Sequence, residues 1–373
     1  MKKQKLKVLL AMSGGVDSSV AALLLKNQGY EVIGAFMKNW SDTKDPLTGR
    51  CAWRTEKKMA LKIASYLSIP LITLDFEKEY RRDVINKMFE KYKKGITPNP
   101  DIDCNQKIKF PLLLKEAKKR KINFIATGHY ARVKKNKNGI YELFRGKDNS
   151  KDQSYFLYKI NQNELSRCLF PIGDYTKEQI RNIAQKNNFP NYNKKGTVGI
   201  CFIGKINLKK FLQKKIKPKK GKILDPEGKI IGEHDGIYYY TIGQRLGPRY
   251  GFELDRGDKN KPSKWYVARK DVRRNIIIAA PEGHKINFRK EVIARNMHFI
   301  DNSLINKIKK GNKLKVFSRI RHVGELLPSI LFYNKKVNQF QVRLDKAITG
   351  VSEGQAIVLY AKEKVLGGGE IRF

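Results

Sequence analysis

The stretch Ala11-Met12-Ser13-Gly14-Gly15-Val16-Asp17-Ser18-Ser19 constrains this chain more than any other. It follows a short apolar run, Val8-Leu9-Leu10, that reads as a buried parallel strand. It precedes an apolar stretch from Ser18 to Gln28 that reads as a helix closed by Gly29. A strand, a glycine turn and a helix N-terminus in that order make an anion site, because successive backbone N–H groups point outward and the helix dipole favours negative charge. Gly14 and Gly15 permit the sharp turn and the close approach of a ligand. Ser13, Ser18 and Ser19 add hydroxyl donors. Asp17 stands apart, since a carboxylate beside phosphate is repulsive unless a cation lies between them. A glycine turn that merely joins strand to helix is the alternative, and the fixed positions in this context favour the phosphate site.

No Gly-Lys-Ser/Thr follows the glycines and no third glycine completes a dinucleotide fingerprint. The pattern Ser-Gly-Gly-x-Asp-Ser resembles the pyrophosphate loop of the ATP pyrophosphatase group, which cleaves ATP to AMP and pyrophosphate and attaches AMP to a substrate oxygen. Downstream, strands over Glu31 to Met37, Pro70 to Phe76 and Ile122 to Ala126 alternate with helices over Glu56 to Leu67, Glu79 to Lys94 and Gln106 to Arg120. Ile96 to Asn105 reads as a loop because of Pro98 and Pro100. This alternation predicts an α/β fold with a doubly wound parallel sheet, whose ligands lie at the carboxyl ends of the strands. Residues 11–19, Met37 to Trp40 and Thr127 to Tyr130 fall there.

Arg132 to Arg145 reads as a hairpin, and Asn163 to Asn188 as mostly helical. Residues 209–222 form a lysine-rich connector. From Gly221 onward short β-rich runs alternate with turns such as Asp225-Pro226-Glu227-Gly228, and the last ninety or so residues read as a small barrel or sandwich.

A length of 373 residues predicts two or three domains. The net charge of +43 suggests a polyanionic partner, most simply nucleic acid, although abundant lysine and asparagine also suit codon drift in an AT-rich genome. The four cysteines, Cys51, Cys104, Cys168 and Cys201, include no Cys-x-x-Cys pair, which argues against a zinc ribbon or a cysteine-ligated cluster and fits a reducing cytoplasm. No apolar run is long enough to span a membrane. Cys51 and Cys168 read as small core hydrophobes. Cys104 lies in a prolyl, polar stretch beside Asp101 and Asp103, and Cys201 lies among glycines. Both therefore read as loop thiols able to cooperate, one carrying sulfur and the other resolving it as a disulfide.

Taken together, these stretches resemble the tRNA-uridine 2-sulfurtransferase family, also called tRNA-specific 2-thiouridylases. The resemblance runs through the phosphate loop, Phe36 to Trp40, Thr97 to Asp101 with Cys104-Asn105, Ile125 to Tyr130, Lys151 to Leu157, Gly199 to Gly204, Gly243-Gln244-Arg245 and Gly367 to Gly369. It implies three parts: a PP-loop, HUP-like pyrophosphatase domain over 1–208, a small central β-rich domain over 209–283 and a C-terminal β-barrel over 284–373. It also implies 2-thiolation of the wobble uridine of tRNA, with ATP and Mg²⁺ serving to adenylate the uridine C2 oxygen. Ala11, Met12, Ser13, Gly14, Gly15, Val16, Asp17 and Ser18 would then hold the nucleotide, with Met37 and Gly128 lining the adenine side. Cys201 would carry the persulfide, Cys104 would attack it or help release hydrosulfide, and Asp101 would accept a proton. Asn99, Pro100 and Asp101 would meet the target base, and His129, Lys151, Asp152, Gln153, Arg319, Ile320 and Gln355 the tRNA body. The implied partners are tRNAs for lysine, glutamate and glutamine and a persulfide relay protein or cysteine desulfurase, with no membrane.

Some positions depart from the family pattern. Asp103 replaces an apolar residue before Cys104, and a carboxylate there is expected to raise the thiol pKa. Thr197-Val198 stands where a small hydroxyl pair is usual. Ile320 replaces an aromatic residue. Lys57 and Lys58 replace acidic ones. Two rival readings are another pyrophosphatase-loop enzyme, such as an amide-forming ligase or a tRNA lysidine synthetase, and a basic tRNA-binding protein whose catalysis has decayed.

Overall fold

The computed structural model describes residues 5–43, 51–196, 199–204, 206–247, 264–322 and 324–373; Thr197 and Val198 lie outside the described residues. The chain opens with β1 (Lys7–Ala11), α1 (Val16–Asn27), β2 (Glu31–Lys38), α2 (Ala52–Tyr66) and β3 (Leu71–Asp75) in alternation. Next, α3 (Glu77–Tyr80) runs through a π turn at Arg81–Ile85 into α4 (Asn86–Lys93), and α5 (Pro100–Cys104) runs through a second π turn at Asn105–Lys109 into α6 (Phe110–Lys119). Then come β4 (Phe124–Ala126), β5 (Ala131–Lys135), β6 (Tyr141–Arg145), α7 (Gln162–Leu165), β7 (Cys168–Leu169) and α8 (Lys177–Lys186).

β1, β2, β3, β4 and β7 form one parallel sheet in the order β3-β2-β1-β4-β7. Successive β1 side chains enter opposite layers. Val8 and Leu10 pack with Val20, Ala21 and Ile63, whereas Leu9 packs with Met37, Leu74 and Leu113. Both faces are thus covered by helices, which is why the strands read as continuous apolar runs. The strand order reverses at β1, so a crevice opens beyond its carboxyl end.

The remaining elements are α9 (Leu208–Gln213), β8 (Gly221–Leu224), β9 (Ile230–His234), β10 (Arg245–Leu246), β11 (Trp265–Asp271), β12 (Ile276–Pro281), β13 (Phe288–Phe299), α10 (Ser303–Lys309), β14 (Leu314–Arg319), β15 (Leu327–Asn334), β16 (Gln339–Thr349), β17 (Ala356–Ala361) and β18 (Lys364–Arg372). A second sheet has the order β10-β11-β12-β8-β9. In the third, β13-β16-β15-β14-β17-β18 closes through pairing of β13 with β18, so the sheet is a barrel around Val292, Leu331, Val342, Leu344 and Leu359. No helix among the described residues is long and apolar enough to cross a membrane.

Three local expectations need correction, and a fourth holds with an added pairing. The stretch Ile96 to Asn105 is not all loop. Asn99 caps α5 by accepting from Ile102 N at 3.4 Å, and Pro100 sits in its first turn, where a missing N–H costs nothing. Asn163 to Asn188 is not mostly helical, because β7 pairs with β4; a strand this short leaves no period to read. The 209–222 connector contains most of α9 and the start of β8. The expected hairpin exists as β5–β6, but β6 pairs with β18 and extends the barrel sheet.

That pairing is one of several contacts between the first and last parts of the chain. Thr97 N donates to Glu353 O at 3.1 Å, the Thr97 and Thr241 hydroxyls lie 3.1 Å apart, and Gln355 Nε2 donates to Thr97 O at 2.9 Å and Pro98 O at 3.0 Å. The segment leading into α5 is therefore braced by both downstream regions.

Candidate active site

The turn after β1 has the features of an anion cradle. Gly14 adopts φ +73°, and a Cβ there would fall 2.4 Å from the Glu56 carbonyl oxygen, so only glycine fits. Gly15 caps α1 without a side-chain hydrogen bond, which leaves the first N–H groups of the helix free for a ligand. The Ser18 and Ser19 hydroxyls each donate to Gly15 O at 3.0 Å, and Ser13 N donates to Ser18 Oγ at 3.3 Å. At Gly128, after β4, a Cβ would lie 2.9 Å from Ser18 N, so this loop closes over the helix start. Ala11, Met12 and Val16 shape the turn from behind, with Met12 and Val16 buried, and Met37 is buried near the end of β2.

Asn39, just beyond β2, is 1% exposed, and neither end of its carboxamide has a partner. Orphaned buried polar atoms are costly, and this one fits the polar edge of a nucleotide. Asp17 Oδ1 accepts from Tyr130 OH at 2.8 Å and from Lys177 Nζ at 2.7 Å. Lys177 of α8 thus sets a positive charge beside one oxygen of this carboxylate. Beyond α8, Asn191 Nδ2 donates to Gly14 O at 3.1 Å and Ser19 Oγ at 3.0 Å, while Lys194 reaches Gly14 O at 3.4 Å. Among the described residues no group of three or more His, Cys, Asp and Glu side chains could hold a metal. Mg²⁺ commonly takes one or two carboxylates plus substrate phosphates, and Asp17 fits that donor set.

The second half of the site is a thiol pair. The Cys104 thiol donates to Cys201 Sγ at 3.8 Å, and both cysteines are free. Cys201 sits in a turn bridged by Ile200 and Gly204. That turn is tied down by Tyr80 OH donating to Cys201 O at 2.5 Å and by Cys201 N donating to Asp101 Oδ1 at 2.8 Å. Burial, the hydrogen bond to Cys201 and the charge there push the Cys104 thiol well above its ordinary range. The hydrogen bond from Cys104 lowers Cys201; burial opposes this and Lys109 assists it. The pair is therefore polarised, with the proton favoured on Cys104 over Cys201. Burial also raises the Asp101 carboxyl.

Cys104 is not the loop thiol expected from its neighbours: it ends α5, is 0% exposed and packs in the core with Tyr80, Ile102 and Ile108. Nor does Asp103 act on it as expected. Asp103 points to Lys107 at 3.2 Å, and the carboxylate that raises Cys104 is Asp101.

The residues expected at the tRNA divide. Asn99, Pro100 and Asp101 lie together at the half-buried start of α5, beside the thiols, and Lys151 is exposed. Gln153 is half-buried, and its Oε1 accepts from Tyr130 N at 3.0 Å. The others make contacts within the fold. Asp152 is buried and ion-paired to Arg319, itself buried, at 2.8 Å. Ile320 is 5% exposed, within the barrel core. Gln355 braces Thr97 and Pro98. His129 is turned inward. Its Nδ1 lies 2.7 Å from Thr127 Oγ1, its Nε2 lies 3.4 Å from Lys109 Nζ, and its ring stacks on Phe110. Sequence reasoning missed Tyr80, Lys109, Lys177, Asn191 and Lys194, because each acts across a long stretch of chain or a π turn. Only Asn39 and Tyr130 fell within the quoted motifs.

Three family models match the chain: a tRNA methyl transferase HUP domain over residues 6–205, a tRNA methyl transferase PRC-barrel domain over 209–281 and an aminomethyltransferase beta-barrel domain over 289–371. The tRNA-specific 2-thiouridylase MnmA of Lactobacillus helveticus is 40% identical over 368 residues, covering 98% of this chain and 95% of that protein. The protein of the same name from Coxiella burnetii (strain Dugway 5J108-111) is 41% identical over 367 residues, covering 98% and 97%. A solved 4-thiouridine synthetase–RNA complex with bound ATP overlaps at a TM-score of 0.34 with 15% identity, over 56% of this chain and 50% of that one, too little to add to the fold assignment.

Proposed function

The chain belongs to the tRNA-specific 2-thiouridylase family, and from that premise we propose that it thiolates the C2 position of the wobble uridine of tRNA at the expense of ATP. The enzyme is a sulfurtransferase. The observation that carries the finer reading is the polarised Cys104–Cys201 pair, 3.8 Å apart and adjoining Asp101. The family models' names speak of methyl transfer, but two facing thiols suit sulfur chemistry.

Residues 11–18 hold the phosphates, and Met37, Asn39 and Gly128 receive the nucleoside. Asp17 would hold Mg²⁺ together with those phosphates, and the ion would supply neutralisation of their charge. The uridine C2 oxygen attacks the α-phosphorus of ATP and pyrophosphate leaves, which turns a poor leaving group into AMP. Cys201 enters this stage as a persulfide, loaded by a relay protein or cysteine desulfurase. Cys104 attacks the inner sulfur of that persulfide, a disulfide forms and hydrosulfide departs. Hydrosulfide then adds at C2 and expels AMP, giving 2-thiouridine. Asp101, its proton affinity raised by burial, takes up the proton released near the pair. Lys151 and the basic surface engage the tRNA backbone, and the acceptors are tRNAs for lysine, glutamate and glutamine. This chemistry belongs in a reducing cytoplasm.

The test is a sulfur-transfer assay with unmodified tRNA, ATP, Mg²⁺ and a persulfide donor, read by mercury-gel retardation and nucleoside mass. Thiolation that requires ATP, Cys104 and Cys201 is the expected result. Product formed by Cys104→Ala and Cys201→Ala at the wild-type rate would overturn the assignment, and tRNA binding without pyrophosphate release would favour a decayed binding protein.

A further inference from the structure

Cys104 and Lys109 are five positions apart. On an unbroken α-helix that spacing turns two side chains about 140° away from each other. Here Asn105–Lys109 is a π turn, whose i→i+5 pattern places one more residue in the turn and brings such positions back towards one face. The Lys109 ammonium consequently stands beside both thiols. The charges of Cys201, Cys104 and Asp101 act on it and together outweigh the burial that disfavours its own charge.

Two aromatic groups fix the ammonium. Its Nζ lies 3.4 Å from His129 Nε2 and 5.7 Å from the centroid of the Phe202 ring, next to Cys201 in sequence. An ammonium can only donate, so Nε2 accepts and Nδ1 carries the proton towards Thr127 Oγ1, 2.7 Å away. Burial and then Lys109 hold the His129 pKa well below its ordinary value, so the ring is neutral. The second π turn, Arg81–Ile85, packs on the first, and Tyr80 before it holds the Cys201 carbonyl. Among the described residues, the titratable groups that act on Cys201 include Cys104 and Asp101 from α5, Lys109 from the π turn and Tyr80 from α3, and of these four Lys109 is the cation.

We infer that Lys109 is the charge that keeps Cys201 a thiolate, and that neutral His129 is a positioning residue holding the lysine against it. The inference rests on the proposed sulfur transfer for its purpose. The Cys201 thiolate attacks the outer sulfur of a donor persulfide, the donor S–S bond breaks, the donor leaves as thiolate and Cys201 keeps the S–SH group.

The measurement is the rate of iodoacetamide alkylation at Cys201, read from the mass of its peptide, between about pH 5 and pH 10. It uses the whole chain alone. Wild type is expected to inflect below the ordinary thiol value of about 8.5. Lys109→Met moves the inflection up by about one unit or more, slowing alkylation at neutral pH about tenfold. Lys109→Arg restores most of the rate, and His129→Phe, which keeps a ring against Phe110, gives a smaller upward shift. A wild-type inflection at or above the ordinary value overturns the inference, as does an unshifted inflection in folded Lys109→Met or an arginine variant as slow as the methionine one. No tRNA, ATP or donor enters, so failure of thiolation would leave this result standing, and a failed shift would leave thiolation standing.

Discussion

Asp152 separates two readings of the segment 151–153, one as a tRNA contact and one as a brace of the fold. Its side chain is 0% exposed, and Arg319 opposite is 5% exposed. The carboxylate accepts from Gly146 N, Ser154 N and Ser154 Oγ at 3.1 Å, from Arg145 Nε at 3.3 Å and from Arg319 Nη1 at 2.8 Å. Asp152→Ala strands the Arg319 guanidinium, whose Nε already lacks a partner. Ser154 Oγ keeps Tyr360 OH at 3.3 Å, so the loss is dominated by the ion pair and the two backbone donors. Removing one member of a buried pair costs about 3–5 kcal/mol. A loss of about 4 kcal/mol lowers the folding equilibrium constant by about three powers of ten.

Urea unfolding followed by far-ultraviolet circular dichroism measures this. A chain with three sheets need not unfold in one step, so midpoints of the transition that includes the barrel are compared. Lys151→Ala, exposed and one residue away, provides the contrast. It leaves the midpoint unchanged and weakens tRNA binding, with the slope of log affinity against log salt reduced by about one. The reasoning is refuted if Asp152→Ala unfolds within about 0.5 kcal/mol of wild type while its tRNA affinity collapses.

Two more predictions concern the reaction centre. Gly14→Ala forces a Cβ against the Glu56 carbonyl at φ +73°, so ATP affinity falls at least about tenfold while the fold survives, measured by equilibrium dialysis; unchanged affinity would remove the turn from the nucleotide site. Asp101→Asn keeps an acceptor for Cys201 N but deletes the negative charge that raises both thiols. The alkylation inflection of Cys201 therefore moves down and the thiol reacts faster on the acid side, while thiolation drops about a hundredfold or more. Slower alkylation in that variant would show the sign to be wrong.

Much of this site was legible in residues that lie next to one another. The glycine turn, the free helix start and the buried strand are short-range structures, so their signals sit within a few positions of Gly14 and Gly15. The helix at Pro100 was missed although its signal was local, because a proline after Asn99 marks a helix start as readily as a loop. Cys104 was misread for a different reason. Two prolines and two aspartates nearby look like a surface, and only the packing of Tyr80 and Ile108 around it makes it core.

The sequence by itself determined the alternating α/β layout and the glycine turn between β1 and α1, since these follow from local periodicity and turn chemistry. Tertiary structure alone decided the electrostatics. It set Lys177 against Asp17, Lys109 beside Cys201, Arg319 against Asp152 and His129 inside rather than outside. Charge interactions and pKa values depend on burial and on distances between residues far apart in the chain, and neither quantity is carried by a run of neighbours.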